Sequence, residues 1–181
     1  MKKNNVLHDD KIGLRAIEPE DIDILYTWEN DTSIWKVSNT LAPFSKYILK
    51  QYLETSHQDL HTTKQLRLII YLLNKPELLL GAIDLFDYDP FHRKAGIGIL
   101  ISKEEDRKKG YASSALNLLL EYVFNILCLH QVYCNISADN EKSLALFKKH
   151  GFDIIGKKKD WIFSGKNWID EYMLQKINPL Y

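Results

Sequence analysis

Neither charge is in excess in this chain of 181 residues: Lys plus Arg and Asp plus Glu number 24 each. A balanced chain gives no electrostatic reason to expect a nucleic acid or a membrane surface as partner. Long apolar runs are missing too. Each one is bracketed by charge, so no segment is expected to cross a bilayer, and the protein is expected to be soluble. Cysteine is scarce; Cys128 and Cys134 flank an expected helix-to-strand junction and read as buried thiols in a reducing cytoplasm. The opening MKKNNVLHDD is polar and has no secretory pattern. No repeat or low-complexity linker interrupts the chain. Residues 1–181 are therefore expected to form one α/β domain, with 1–10 as a loose lead-in.

Two familiar phosphate motifs are absent as well. There is no G-x-x-x-x-G-K-[ST], and Gly96 and Gly98 lie inside a β-prone run, whereas a dinucleotide fingerprint follows one. What is present is a strand that feeds a helix. Ile97 to Ile101 is β-prone, and Ala112, Ala115, Leu116, Leu119, Leu120 and Val123 recur at helical spacing. Between them runs Arg107-Lys108-Lys109-Gly110-Tyr111-Ala112-Ser113. The first amides of a helix have no internal partner and carry the positive end of its dipole. Gly110 lets the backbone approach a ligand, small residues leave those amides uncovered, and three cations add charge, an arrangement suited to a pyrophosphate.

The rest of the chain supplies the frame. Lys11 to Arg15 suits an edge strand, and Pro19 starts a helix to about Glu29 with Ile22, Leu25, Tyr26 and Trp28 on its apolar side. Asn30 to Pro43 lacks periodicity and is expected to be a mobile connection, after which Ser45 caps a second helix containing Ile48, Leu49, Tyr52 and Leu53. Gln65 to Leu73 and Leu78 to Phe86 form a hairpin around Asn74-Lys75-Pro76-Glu77, and the turn Asp87 to Arg93 leads into the central strand. Gln131 to Ser137 is a fifth strand, parallel to the central one through a right-handed helical crossover. Asn140 opens another helix, stopped by Gly151, and Phe152 to Lys176 reads as a closing hairpin about Ser164-Gly165-Lys166.

Arg107-x-x-Gly110-x-Ala112 after a strand resembles the coenzyme A pyrophosphate element of the GNAT N-acetyltransferases. Asn140-x-x-Ser143, followed by Gly151-Phe152, resembles that family's second conserved segment, and the order β-α-α-β-β-β-α-β-α-β-β from about Ile12 resembles its whole fold. The resemblance implies a mixed, mainly antiparallel sheet of about seven strands with four helices. It also implies acetyl-CoA as co-substrate, with no metal, and an acetyl transfer to a primary amine. Arg107, Lys108, Lys109, Gly110, Tyr111, Ala112 and Ser113 would hold its pyrophosphate. Asn140, Ser143 and Phe147 would flank the pantetheine arm, whose amides would pair with strand backbone near Leu100 and Ile101. Asn140 equally suits a helix N-cap and Gly151 a C-cap.

An alkylammonium has a pKa of about 10.4, so at neutral pH it must lose a proton before it attacks a thioester. Asp84 and Asp87 are the candidate proton acceptors, and their acidity would also attract a cationic acceptor. A separation of three puts them on opposite faces of a regular strand, leaving Asp84 better placed. By resemblance, Trp28 and Trp35 would line the acceptor site, although both could fill core instead and the helical spacing of Trp28 favours core. The chain departs from its relatives at two positions. Phe147 stands where many members have a tyrosine that protonates the leaving sulfur, and Gly96 where many have a glutamate that draws off the amine proton. Those departures keep open a second reading, a coenzyme-A-binding module with little or no catalysis.

LRAIEPEDIDILYTWEND and the later HRKAGIGILISKEEDRKKGYAS most resemble the ribosomal-protein and spermidine N-acetyltransferase branches, so the acceptor is expected to be a polyamine, a diamine or a protein N-terminal amine. Val37 to Phe44 lacks the acidic cluster that marks an allosteric polyamine site in the spermidine branch. Trp161, Phe163 and Trp168 on the closing hairpin suit either a homo-oligomer contact or core. His57 and His61 have a metal-ligand spacing but no third partner in the sequence, and Lys157 to Lys159 reads as a solvated strand end.

Overall fold

The computed structural model describes residues 7–38, 40–55 and 59–180, with residues 36–38 as backbone only. Seven strands form one sheet: β1 (Ile12–Ala16), β2 (Leu66–Leu72), β3 (Lys75–Asp89), β4 (Lys94–Ile101), β5 (Gln131–Ser137), β6 (Asp153–Phe163) and β7 (Trp168–Ile177). Their order is β1-β2-β3-β4-β5-β7-β6, antiparallel except for the β4–β5 pair, and β1 is an edge strand as its short run predicts.

Strand alternation divides the sheet into two faces. Leu68, Ile83, Leu85, Ala95, Ile97, Val132 and Cys134 look to one side, where α5 (Tyr111–Asn125) packs Ala115, Leu116, Leu119 and Val123 against them. Phe147 of α6 (Glu141–Lys149) joins the same core. On the opposite face Ile69 and Ala82 meet Leu25 and Trp28 of α1 (Ile22–Glu29) and Leu49 and Leu53 of α3 (Lys46–Thr55). Each fully buried leucine contributes about 1.5–3 kcal/mol, so both helix layers are fixed to the sheet by their apolar stripes.

The helix starts follow local chemistry. Pro19–Asp21 forms a 3-10 turn before α1, and Arg15 of β1 grips both oxygens of the buried Asp21 at 2.7 Å, tying the first strand to the first helix. Ser45 caps α3 as expected, its Oγ accepting from Ile48 N–H at 3.2 Å.

Among the described residues there are six α-helices where four were expected. The segment read as a mobile connection contains α2 (Thr32–Ser38): Asp31 caps it by accepting from Ser33 N–H at 2.9 Å, and buried Ile34 anchors it. Seven residues with so narrow an apolar face give no periodic signal. The single turn α4 (Leu60–Thr63) is made by Asp59, which accepts from His61 and Thr62 amides. His57, and Asn39 within the stretch weighed for an acidic cluster, lie outside the described residues. Trp161, Phe163 and Trp168 are all exposed, so the reading of this trio as core is corrected: β6 is the edge strand of the sheet, and Trp168 opens β7 opposite Phe163.

Candidate active site

β4 and β5 pair only over Lys94–Gly96 and Gln131–Tyr133. Beyond Gly96 and Tyr133 they part, because β5 follows β7 along its full length while β4 follows β3. The result is a wedge, closed at Gly96 and Tyr133 and open towards the loop that precedes α5.

The backbone groups facing that wedge follow from register. Ser102 N–H bonds to Leu80 C=O at 2.9 Å, and residues along an antiparallel ladder alternate between bonding to the partner strand and pointing away. Leu100, opposite Ala82, is therefore committed to β3, while Ile97, Ile99 and Ile101 direct their amides and carbonyls into the wedge. The expectation for Leu100 is corrected on this point: its backbone is used inside the sheet. Ile101 directs its amide away from β3, and its carbonyl accepts from Arg107 Nε at 3.2 Å.

At the open end the chain turns through Lys108 (φ 63°) and Gly110 (φ 89°) into α5. No side chain caps this helix. Its first internal bond, Ser114 N–H to Gly110 C=O at 2.9 Å, leaves the amides of Tyr111, Ala112 and Ser113 directed out of the helix end. Nothing lies within 4 Å of the point where a Cβ on Gly110 would stand, so the approach is open. Of the three cations, Arg107 folds back to donate to the carbonyls of Ile101 (3.2 Å) and Ser102 (3.4 Å), and Lys109 pairs with Asp106 at 2.9 Å, which raises its pKa. Lys108 is exposed. An open cradle of amides with a cation beside it fits a diphosphate.

From the other side, Asn140 caps α6 by accepting from Ser143 N–H at 3.2 Å, fulfilling the helix-cap reading. Phe147 is 3 % exposed, with its ring edge-on to Phe152 at 5.0 Å, and is a core residue. The two helices meet where Ser113 Oγ and His150 Nε2 lie 2.8 Å apart; burial, then Lys149 and Lys176, hold the His150 pKa down.

The face bearing α1 and α3 carries the polar residues. Arg67 of β2 donates to both oxygens of Asp84 (2.7 and 3.0 Å) and to Glu29 at the end of α1 (2.5 Å). Burial disfavours the guanidinium charge, but the two carboxylates outweigh it and raise the Arg67 pKa. Burial likewise raises the pKa of neighbouring Tyr52. A sequence reading that singled out Asp84 missed both Arg67 and Glu29. Trp28 is buried against the sheet, and Trp35 is half-buried, donating to Glu29 C=O at 2.8 Å.

Asp87 does not alternate as a regular strand would require. It has φ 50° at a break in the β3–β4 register, and its carboxylate accepts from Tyr133 OH at 3.0 Å. The bulge thus brings Asp87 to the same face as Asp84. At the other end of β4, a groove of about 630 Å³ between the start of α2 and the loop after β4 is lined by Asp31, Glu104 and Glu105 against Lys103 and Arg107.

The sequence matches the family described as acetyltransferase (GNAT) domain over residues 11–153. It is 28 % identical over 142 residues to spermidine N(1)-acetyltransferase from Vibrio cholerae, covering 78 % of this chain and 79 % of that protein. A crystal structure of Vibrio cholerae spermidine N-acetyltransferase with CoA and spermine superposes with a TM-score of 0.84 at 24 % identity, over 94 % of this chain and 97 % of the other. A dodecameric structure of the Vibrio cholerae enzyme gives 0.77 at 24 % identity, over 94 % and 95 %. With the wedge, the uncapped helix start and the strand order in agreement, the chain belongs to the GNAT family of acetyl-CoA-dependent N-acetyltransferases.

Proposed function

We propose that the protein acetylates a primary amine of a polyamine or diamine, working as one catalytic domain in the cytoplasm and as a homo-oligomer. The observation that carries this reading is the β4–β5 wedge opening onto the uncapped amides after Gly110. In this reading the diphosphate of acetyl-CoA rests on the amides of Tyr111, Ala112 and Ser113 with Lys108 beside them. The pantetheine amides pair with the backbone of Ile99 and Ile101, and α6 flanks the arm through Ser143. An amide directed from β4 into the wedge polarises the thioester carbonyl, and the site needs no metal.

The acceptor side is acidic. Glu29 and Asp84 together exceed Arg67 by one charge, and the groove at Asp31, Glu104 and Glu105 exceeds its two cations by one. A molecule with several ammonium groups matches both, and the spermidine enzyme of Vibrio cholerae supports this choice of acceptor. The dodecamer of that enzyme supports self-assembly, for which exposed Trp161, Phe163 and Trp168 offer an apolar surface.

Thiol release and product mass with acetyl-CoA and a panel of diamines, spermidine, aminoglycosides and N-terminal peptides test the reading. Turnover best with di- or polyamines is expected. Acetyl-CoA binding without acetylation of any amine would instead favour the coenzyme-binding module, the reading that Gly96 and Phe147 motivate.

A further inference from the structure

The usual glutamate and tyrosine positions of this family hold Gly96 and Phe147, and neither side chain can carry a proton. The Phe86 ring occupies the space beside Gly96, and Phe147 is enclosed in the core. Proton transfer therefore needs other groups at the closed end of the wedge.

Tyr133 is the last β5 residue paired with β4, opposite Gly96. Its ring lies edge-on to Phe86 at 6.0 Å, on the acceptor-facing side of the sheet, and its hydroxyl donates to Asp87 at 3.0 Å. Asp87 is exposed, so a proton arriving there has a route to water. From Ile101 to Gly96 is five residues of strand, roughly 17 Å at the usual rise, comparable with an extended pantetheine arm. A thioester whose carrier is anchored at Gly110 thus ends beside Tyr133.

We propose that Tyr133 and Asp87 form the proton relay that serves the attacking amine. The inference rests on the acetyltransferase reading above. The acceptor arrives as an ammonium ion and passes one proton to Tyr133 Oη as the Tyr133 hydroxyl proton moves to the Asp87 carboxylate. The freed nitrogen lone pair forms the C–N bond at the thioester carbon, and the C–S bond breaks with its electron pair on sulfur. The second nitrogen proton passes to that thiolate, giving the amide and a thiol, while Asp87 releases its proton to water. The phenol remains neutral between turnovers: burial, then Asp87, push its pKa up to about 12, so it conducts a proton and does not store charge.

Tyr133→Phe keeps the ring against Phe86, and Asp87→Asn keeps the shape of the acid, so both variants are expected to fold. Steady-state kinetics on the best amine of the panel should show kcat lowered roughly 10²- to 10⁴-fold in either variant, with the amine KM and the acetyl-CoA Kd unchanged. The double variant should be no slower than the slower single one, as expected of groups that act as a unit. An active wild type whose variants retain kcat, or lose only KM, would overturn the relay alone. A wild type that binds acetyl-CoA and acetylates nothing would overturn the acetyltransferase reading and the relay with it.

Discussion

Phe86 and Gly96 face each other across β3 and β4 so closely that a Cβ on Gly96 would stand 2.1 Å from Phe86 Cε2. The ring fills the volume that a side chain at position 96 would need. Gly96→Glu should therefore destabilise the fold by about 1–3 kcal/mol, the usual cost of overpacking. Adding Phe86→Ala should recover part of that loss relative to Phe86→Ala alone, as a urea-unfolding double-mutant cycle would show.

Gly110 separates conformation from charge. At φ 89° with open space around it, asparagine and aspartate both fit, at a strain cost of about 1–2 kcal/mol. Gly110→Asp should abolish acetyl-CoA binding by placing a carboxylate over the amide cradle, while Gly110→Asn should retain much of it. Calorimetry on the two variants, with thermal melts as control, checks this; equal affinities would refute the cradle.

Arg67 holds two carboxylates that are themselves mostly covered, with side-chain exposures of 29 % for Asp84 and 20 % for Glu29. Removing the guanidinium in Arg67→Ala leaves both unpaired. Breaking a buried pair costs about 3–5 kcal/mol, and partial solvent access brings the expectation to about 2–3. Arg67→Lys should recover only part, because an ammonium cannot form the two-pronged contact with Asp84. Denaturant melts read the stability.

Asp21 provides a pH test of the fold. Burial opposes its ionisation, but the Arg15 guanidinium and the Glu18 N–H outweigh it and hold the pKa below 3.8. A carboxyl depressed in the folded state stabilises it fully above the unfolded pKa, and that contribution disappears as pH falls through the folded pKa. Stability should therefore decline below about pH 4. Asp21→Asn should be less stable at pH 7 by about 1.5–3 kcal/mol and have a flatter acid limb. Urea melts from pH 2 to 7 give both slopes.

Phe147→Tyr should leave the acetyl-CoA Kd unchanged, since the ring lies in the core and not at the helix start. A new hydroxyl buried beside Phe152 without a partner costs about 1–3 kcal/mol. A loss of affinity on titration would mean that α6 packs differently.

The strand, cationic loop and helix around Gly110 were legible because each signal is local: β-prone residues, a glycine at positive φ, and apolar spacing of the following turns. Asn140 as a cap was equally plain. Asp84 was found, but its partner Arg67 lies on another strand and Glu29 on a helix, so no spacing rule links them. Asp87 was placed on the wrong face because alternation assumes a regular strand, and the bulge that turns it towards Tyr133 depends on how β3 pairs with β4. Leu100 and Ile101 could not be told apart from sequence, because only the ladder decides which amide points away from β3.

The sequence by itself determined the order of the seven strands and of the four longer helices, the helix start after Gly110 and the family, because those depend on residues near one another in the chain. Tertiary structure decided where β4 and β5 separate, which carboxylates share Arg67, and what fills the place beside Gly96. Each of these is a meeting of distant segments, and only strand register and packing bring such segments together.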